Sequence, residues 1–426
     1  MNQSTAWLRR GVCVAVCLAA AGLYGCKTDN ADQEDPAEEE VEHVPAEDDF
    51  HPAFVLATDD APVLTSSFRQ SMSVQTTAST TSSSGWTPQQ FQQAYNVPAS
   101  IGNQPAGYGV KVAIITAYHY SNLQYDLNTW AKTFNQKPIT LKIINQAGNL
   151  KNSNWAVLSS LAVQMVNAVS PGATVYVIEA KSFSQNDIKA AMQTAANTGV
   201  NVILMPFGSV EFSTEGAQTN LFANSRIAWI AAAGSQSLPN FPATSPDVIA
   251  VGGTTPGLVD PLVETAWADA AAGMSAYERM PSFQMIPSVQ QVNTTAYRSA
   301  PDVAFNADPA YGARIYVSVL GGWYVIGGTA VSSSFFTGVV AIANQLRKSQ
   351  NKPMLSSVHT SSGSLQSGLY GLMSSNGGPT NSTVLNDVVD GYAGEGSYPA
   401  EPGYDIATGL GSLDVAAFVN YMGSKP

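Results

Sequence analysis

Three consecutive serines, Ser332, Ser333 and Ser334, stand just inside an apolar stretch opened by a Gly327-Gly328-Thr329 turn, in the run "GGTAVSSSFFTGVVAIANQ". Hydrolases often hold a nucleophilic serine at such a turn, because glycine permits close backbone approach and a helix N-terminus favours negative charge. The residue directly after the Gly-Gly-Thr is Ala330. The serines come two to four positions later, where a hydroxyl points along other helix faces and can bond back to a carbonyl of the preceding turn. They read as structural. The rival reading makes one of them a nucleophile served by a relocated acid such as Asp302 or Asp308. His43, His51, His119 and His359 are scattered, and none has metal-ligand spacing; His119 alone sits at the end of an expected strand.

The elements around this turn alternate. Strand signals at "VKVAIITAY", "ITLKIIN", "ATVYVIEA", "NVILMPFG", "RIAWIAAAG" and "DVIAVGGT" interleave with helix signals at "LQYDLNTWAKTFN", "NWAVLSSLAVQMVNAV" and "SQNDIKAAMQTAANTG". Near-continuous Val/Ile/Ala strands between helices indicate a mostly parallel sheet covered on both faces, an α/β three-layer domain with right-handed crossovers. In such sheets chemistry gathers at the carboxyl ends of the strands. The domain is expected to begin near residue 85, where Thr87 and Gln90 have capping-box spacing around Pro88.

The net charge of −12 is concentrated: residues 27–50 hold eleven Asp/Glu and one Lys. The remainder is nearly neutral, which argues against a nucleic-acid partner. Residues 27–84, acidic and then Ser/Thr-rich, read as a disordered tether. All three cysteines, Cys13, Cys17 and Cys26, lie in the first 26 residues, so the domain from 85 to 426 has no disulfide and no Cys-bound metal. Residues 1–26 read as an export signal, with Arg9 and Arg10 before an apolar stretch too short to favour a permanent span. Its end, "LYGC", resembles a bacterial lipobox, which implies diacylation of Cys26 and a membrane anchor in the cell envelope.

The segments "NFPATSPDVIAVGGTT", "RSAPDVAFNADPAYG", "GGWYVIGGTAVSSSFFTGVVAIANQ" and "NDVVDGYAGEGSYPAEPGYDIATGLGSLD" resemble the sedolisin family, the serine-carboxyl peptidases with a subtilisin-like fold. The resemblance covers residues from about 86 to 424 and implies a serine nucleophile, a Glu base supported by an Asp, and a second Asp at the oxyanion hole. The matching positions here are Ala330 for the serine, Leu158 and Ala162 for the Glu and Asp, and Ser235 for the oxyanion Asp. No acid lies between Trp155 and Val169, so shifting the alignment does not restore the pair. Ala270, Ala271 and Ala272 stand where a glycine-rich stretch would line the substrate cleft, and their methyl groups are expected to crowd a peptide.

The resemblance also implies a structural Ca²⁺ held by Asp387, Val388, Glu401, Gly403 and Asp405, an all-oxygen set suited to that ion. The expected protein is a catalytically inactive pseudopeptidase lipoprotein that binds a peptide or protein partner. An active endopeptidase with relocated residues and a passive surface lipoprotein are the alternatives.

Overall fold

Val, Ile and Ala runs that alternate with helices become one central sheet. The computed structural model describes residues 49–57, 85–235, 238–259, 262–361, 363–373 and 383–426. The elements that bear on the site begin with β1 (His51–Pro52), β2 (Val55–Leu56), α1 (Pro88–Ala94), β3 (Lys111–Ala117), α2 (Leu123–Thr133) and β4 (Thr140–Asn145). Then come α3 (Ser153–Val169), β5 (Thr174–Ala180), α4 (Gln185–Asn197), β6 (Val202–Met205), β7 (Phe207–Gly208), β8 (Ala228–Ala232) and β9 (Val248–Val259). The last are β10 (Leu262–Ala266), β11 (Val303–Asn306), β12 (Ala313–Val317), β13 (Gly322–Gly327), α5 (Thr329–Ser349) and α6 (Val415–Ser424).

The sheet runs in the order β10-β9-β8-β6-β3-β5-β4, with β11 also paired to β9. Every pair is parallel except β9 with β10. Strands β6 and β8 are buried throughout, as a sheet covered on both faces requires. Helices α3 and α5 pack on each other and on the sheet, while α4 packs on β3 and β5. At Gly338 in α5 an added Cβ would lie 2.5 Å from the Val169 Cβ, so a glycine is what lets these two helices approach. The expected N-terminus of α1 is present in detail: the Thr87 hydroxyl accepts from the Gln90 amide, and the Gln90 side chain accepts from the Thr87 amide.

One expectation is overturned. Residues 49–57 fall in the stretch whose composition reads as a disordered tether, yet they form β1 and β2 and bury Phe50, Ala53, Phe54, Val55 and Leu56. The acidic residues around them dilute an apolar cluster that is long enough to be fixed by tertiary packing. Cys26, the export signal and the remainder of 27–84 lie outside the described residues.

Candidate active-site groove

The turn into α5 is built by backbone proximity. Gly328 has φ of 92°, and a Cβ there would stand 2.6 Å from both the Ala53 carbonyl oxygen and the Phe54 Cα. Only glycine satisfies both conditions. Thr329 and Ala330 follow as the first two helical residues, fully buried. Ser332 donates to the carbonyls of Gly252 at 2.6 Å and Thr329 at 3.1 Å, and Ser334 donates to that of Ala330 at 2.6 Å. Ser333 donates to the Ala330 carbonyl at 3.3 Å. All three serines are inaccessible to solvent. Their hydroxyls are engaged with main-chain carbonyls, as residues inside a buried helix must be.

Helix α3 carries Leu158 and Ala162, both fully buried in the apolar cluster that also contains Ala330. No carboxylate is presented from that helix. The turn after β8 reaches the same region, since the Gly234 amide donates to the Thr329 hydroxyl at 3.1 Å. Next to it, the Ser235 hydroxyl oxygen is buried and has no hydrogen-bond partner among the described residues. Ala271 closes on this turn from the other side: its amide donates to the Gly234 carbonyl, and its methyl would lie 3.3 Å from a Cβ at Gly234. Ala270, Ala271 and Ala272 are all fully buried.

An extended chain lies against the turn into α5. On one side β1 pairs antiparallel with β7, His51 opposite Gly208 and Pro52 opposite Phe207, and the Ala53 amide donates to the Pro206 carbonyl at 3.2 Å. On the other, β2 pairs antiparallel with β13, Val55 opposite Gly327 and Leu56 opposite Ile326. Between them the Ala53 carbonyl accepts from the Ala330 amide at 2.8 Å. That amide is one of the N–H groups a helix start leaves without an internal partner. Phe50 is fully buried, its ring 5.2 Å from that of Phe207 and 6.2 Å from that of Phe241. Sequence patterning missed this segment; the apolar "FHPAFVL" inside an acidic run is the signal that would have found it.

The acids named for the rival mechanism are otherwise employed. Asp302 is fully buried and accepts from both terminal nitrogens of Arg298 (3.0 and 2.8 Å), from the Ala250 amide at 2.8 Å and from the Tyr370 hydroxyl at 2.7 Å. Asp308 caps a short turn through the Ala310 amide and accepts from the Thr255 hydroxyl, each at 2.8 Å. His119 is 2.7 Å from Glu179, which also accepts from the Tyr120 amide at 3.1 Å. This contact ties the end of β3 to β5 and reaches no serine of α5.

Two buried carboxyls went unnoticed in the sequence. Glu264 accepts from the hydroxyls of Tyr95, Thr254 and Ser412, and burial raises its pKa. Glu215 accepts from the Phe212 amide at 3.1 Å, and burial followed by its hydrogen bond to Glu211 pushes its pKa from the ordinary 4.5 up to about 9. Between those two values the folded chain holds a proton that the unfolded chain has released, so stability falls as pH rises. The melting temperature is therefore expected to decline from about pH 4.5 to 9, and Glu215→Gln to flatten the decline. A melting temperature that climbs through this window, or an unchanged slope in the variant, contradicts the assignment.

The C-terminal loop brings Asp387 and Asp405 together. Asp387 accepts from the Gly403 amide at 2.9 Å, and Asp405 accepts from the amides of Thr408 at 2.7 Å and Glu401 at 3.3 Å. Burial pushes the Asp405 carboxyl up to about 7, and the negative charge of Asp387 adds to the rise. Burial also raises Asp387. Among the described residues no donor reaches the carbonyls of Val388, Glu401 and Gly403, and no group of three or more His, Cys, Asp or Glu gathers as a metal cluster. Two carboxylates close enough to feel each other's charge, with carbonyls beside them that no donor among the described residues reaches, form an all-oxygen donor set that fits a hard cation such as Ca²⁺.

Sequence comparison finds sedolisin of Pseudomonas sp. (strain 101), 32% identical over 205 residues, which is 45% of this chain and 32% of that relative. Xanthomonalisin of Xanthomonas sp. (strain T-22) is 31% identical over 202 residues, 42% of this chain and 22% of its own length. Kumamolisin of Bacillus sp. (strain MN-32) is 33% identical over 190 residues, 41% of this chain and 30% of its own length. The matched segment thus spans a third or less of these relatives. No family model matches the chain. Among solved structures, Pseudomonas sedolisin, a serine-carboxyl proteinase complexed with pseudo-iodotyrostatin, superposes with a TM-score of 0.68 at 24% identity, covering 80% of this chain and 98% of that one. In architecture the chain carries the subtilisin-like fold of Pseudomonas sedolisin, and over part of its length its sequence is similar to the sedolisin-type relatives.

Proposed function

We propose that the protein is a non-cleaving sedolisin-like scaffold that engages a peptide or protein partner and is held at a membrane of a bacterial cell envelope by lipidation of Cys26. The observation that carries this reading is Ala330 at the turn where the fold presents its nucleophile, with the neighbouring serines bonded to main-chain carbonyls. The burial of Leu158 and Ala162 in the apolar core removes the base as well. General acid–base help and a nucleophile work as a unit in acyl transfer, and here neither is supplied. A fluorophosphonate probe tests the reading on the full chain. No covalent adduct is expected at any pH, and stoichiometric labelling within Ser332–Ser334 would overturn it.

Calcium is part of the same proposal, held by Asp387 and Asp405 with the carbonyls of Val388, Glu401 and Gly403. A ligand that binds only the folded chain at about 100 times its dissociation constant stabilises by about 2.7 kcal/mol. Millimolar Ca²⁺ is accordingly expected to raise the melting temperature and a chelator to lower it. With Asp387→Asn and Asp405→Asn combined, the calcium response should vanish. A melting temperature indifferent to Ca²⁺ in the unaltered chain argues against the site.

A further inference from the structure

The outer face of the hairpin β12–β13 carries a row of rings that neither the turn into α5 nor the C-terminal loop uses. Along β12, Ala313, Ile315 and Val317 are buried while Arg314 and Tyr316 are partly exposed, the alternation of a strand with one wet face. The buried Gln164 side chain of α3 holds both main-chain groups of Tyr316, at 3.0 and 2.8 Å. The Arg314 amide donates to the Trp86 carbonyl at 3.0 Å, and the Arg314 carbonyl accepts from the Trp130 indole, also at 3.0 Å. The strand that bears the two side chains is therefore fixed. Trp323 stands directly opposite Tyr316 in the hairpin register, and α2 flanks the pair with Tyr125 near its start and Phe134 at its end.

The rings are continuous. Their centroids lie 6.2 Å apart for Tyr125 and Tyr316, 5.3 Å for Tyr316 and Trp323, and 5.5 Å for Trp323 and Phe134. Tyr125 is 58% exposed, and Tyr316 and Trp323 are partly so. The Arg314 guanidinium lies 5.2 Å from the centre of the Trp323 ring, and among the described residues no ion pair or hydrogen bond engages it. Its donors remain available in the planar fork that matches a carboxylate. Uncharged polar groups edge the row. Gln124 and Asn128 are exposed on α2 and bonded to each other at 3.0 Å, and Asn122 donates to the Ser318 hydroxyl at 3.3 Å.

This composition selects a ligand class. Rings with an apolar body and a polar tip, bordered by amides, match a sugar ring, which offers CH groups on its faces and hydroxyls at its edge. One cation among several rings does not suit a nucleic acid or another polyphosphate, whose affinity comes from many neutralised phosphates. Trp, Tyr and Arg also anchor protein interfaces by filling pockets of the partner. Here each ring packs edge-to-face against the next, which leaves a strip rather than a single protruding anchor. We propose that the face formed by Tyr125, Tyr316, Trp323 and Arg314 binds an acidic polysaccharide, its sugar rings lying on the aromatic side chains and a uronate carboxylate paired with Arg314. The site uses no residue of the turn into α5, so it stands whether or not the chain cleaves peptides.

The test titrates the full chain by calorimetry with uronic-acid oligosaccharides, oligogalacturonate and oligomannuronate, and with neutral cello- and chito-oligosaccharides. Saturable binding of a uronic-acid member is expected, about tenfold or more tighter than any neutral one, the worth of one charge-assisted pair. Tyr125→Ala, at an exposed position that leaves the fold intact, should weaken both classes. Arg314→Gln should abolish the preference for the acid while leaving neutral binding unchanged, and added salt should narrow the same gap. No binding of either uronic-acid probe, or binding indifferent to both substitutions in folded variants, overturns the proposal. A photoreactive group at position 125 that captures a protein in cells, from a chain that binds none of the oligosaccharides, would assign the face to a protein and likewise overturn it.

Discussion

Ala330→Ser leaves the chain without measurable peptide-bond cleavage. The substitution restores a hydroxyl next to the Ala53 carbonyl, since the residue 330 amide already donates to that carbonyl at 2.8 Å. On the non-cleaving reading it does not restore a base, because the positions matched to one by the resemblance hold Leu158 and Ala162, buried among apolar neighbours. In the subtilisin triad, loss of the base alone lowers turnover about 2 × 10⁶-fold, as much as loss of all three members. That factor corresponds to about 8 kcal/mol of barrier. The serine by itself should therefore regain less than about tenfold over the unaltered chain. Intact-mass analysis reads the result, because the first bond within reach of a working serine is Ala53–Phe54. Scission there at a rate about 10³-fold above the unaltered chain would mean that another group supplies the base.

Asp302→Ala lowers the unfolding free energy by about 3–5 kcal/mol, the effect of leaving a buried charge without its partner. Arg298 is fully buried; among the described residues it donates, besides Asp302, to the main-chain carbonyls of Ala243, Val248 and Ser299, and its guanidinium lies 5.6 Å from the centre of the Phe283 ring. The same carboxylate also holds the Ala250 amide at the head of β9 and the Tyr370 hydroxyl, so its removal loosens three elements at once. Urea unfolding should show a lower midpoint with a similar slope. A catalytic Asp302 would behave differently, with activity lost and stability nearly unchanged. A stability change under about 1 kcal/mol would contradict the structural role assigned to it.

The central sheet was legible because its strands are nearly uninterrupted Val, Ile and Ala between amphipathic helices. The start of α1 was legible because Thr87, Pro88 and Gln90 have chemistry specific to a helix N-terminus. Ala330 could be located because Gly327, Gly328 and Thr329 mark the turn before it. The groove segment could not be read in the same way. Phe50, Phe54, Val55 and Leu56 lie in a region whose average composition is acidic and polar, and their partners at Phe207 and Ile326 are separated from them by most of the domain. Residue spacing carries no trace of such pairing. Glu215 and Glu211 are near neighbours in sequence, yet the rise in the Glu215 pKa comes first from burial, which no local pattern encodes. Arg298 and Asp302 are four apart, a spacing that suggests a helix face, but they meet across the end of a strand. Tertiary packing overrides local spacing there.

The most direct measurement is digestion of an unfolded protein substrate by the full chain, with calcium, from strongly acidic to neutral pH, followed by mass spectrometry. A variant with Ser332, Ser333 and Ser334 all replaced by Ala runs beside it. The expected result is an intact substrate with both proteins at every pH, from chains shown to be folded. Fragments produced by the unaltered chain and absent with the variant would contradict a non-cleaving scaffold and place the nucleophile among those three serines.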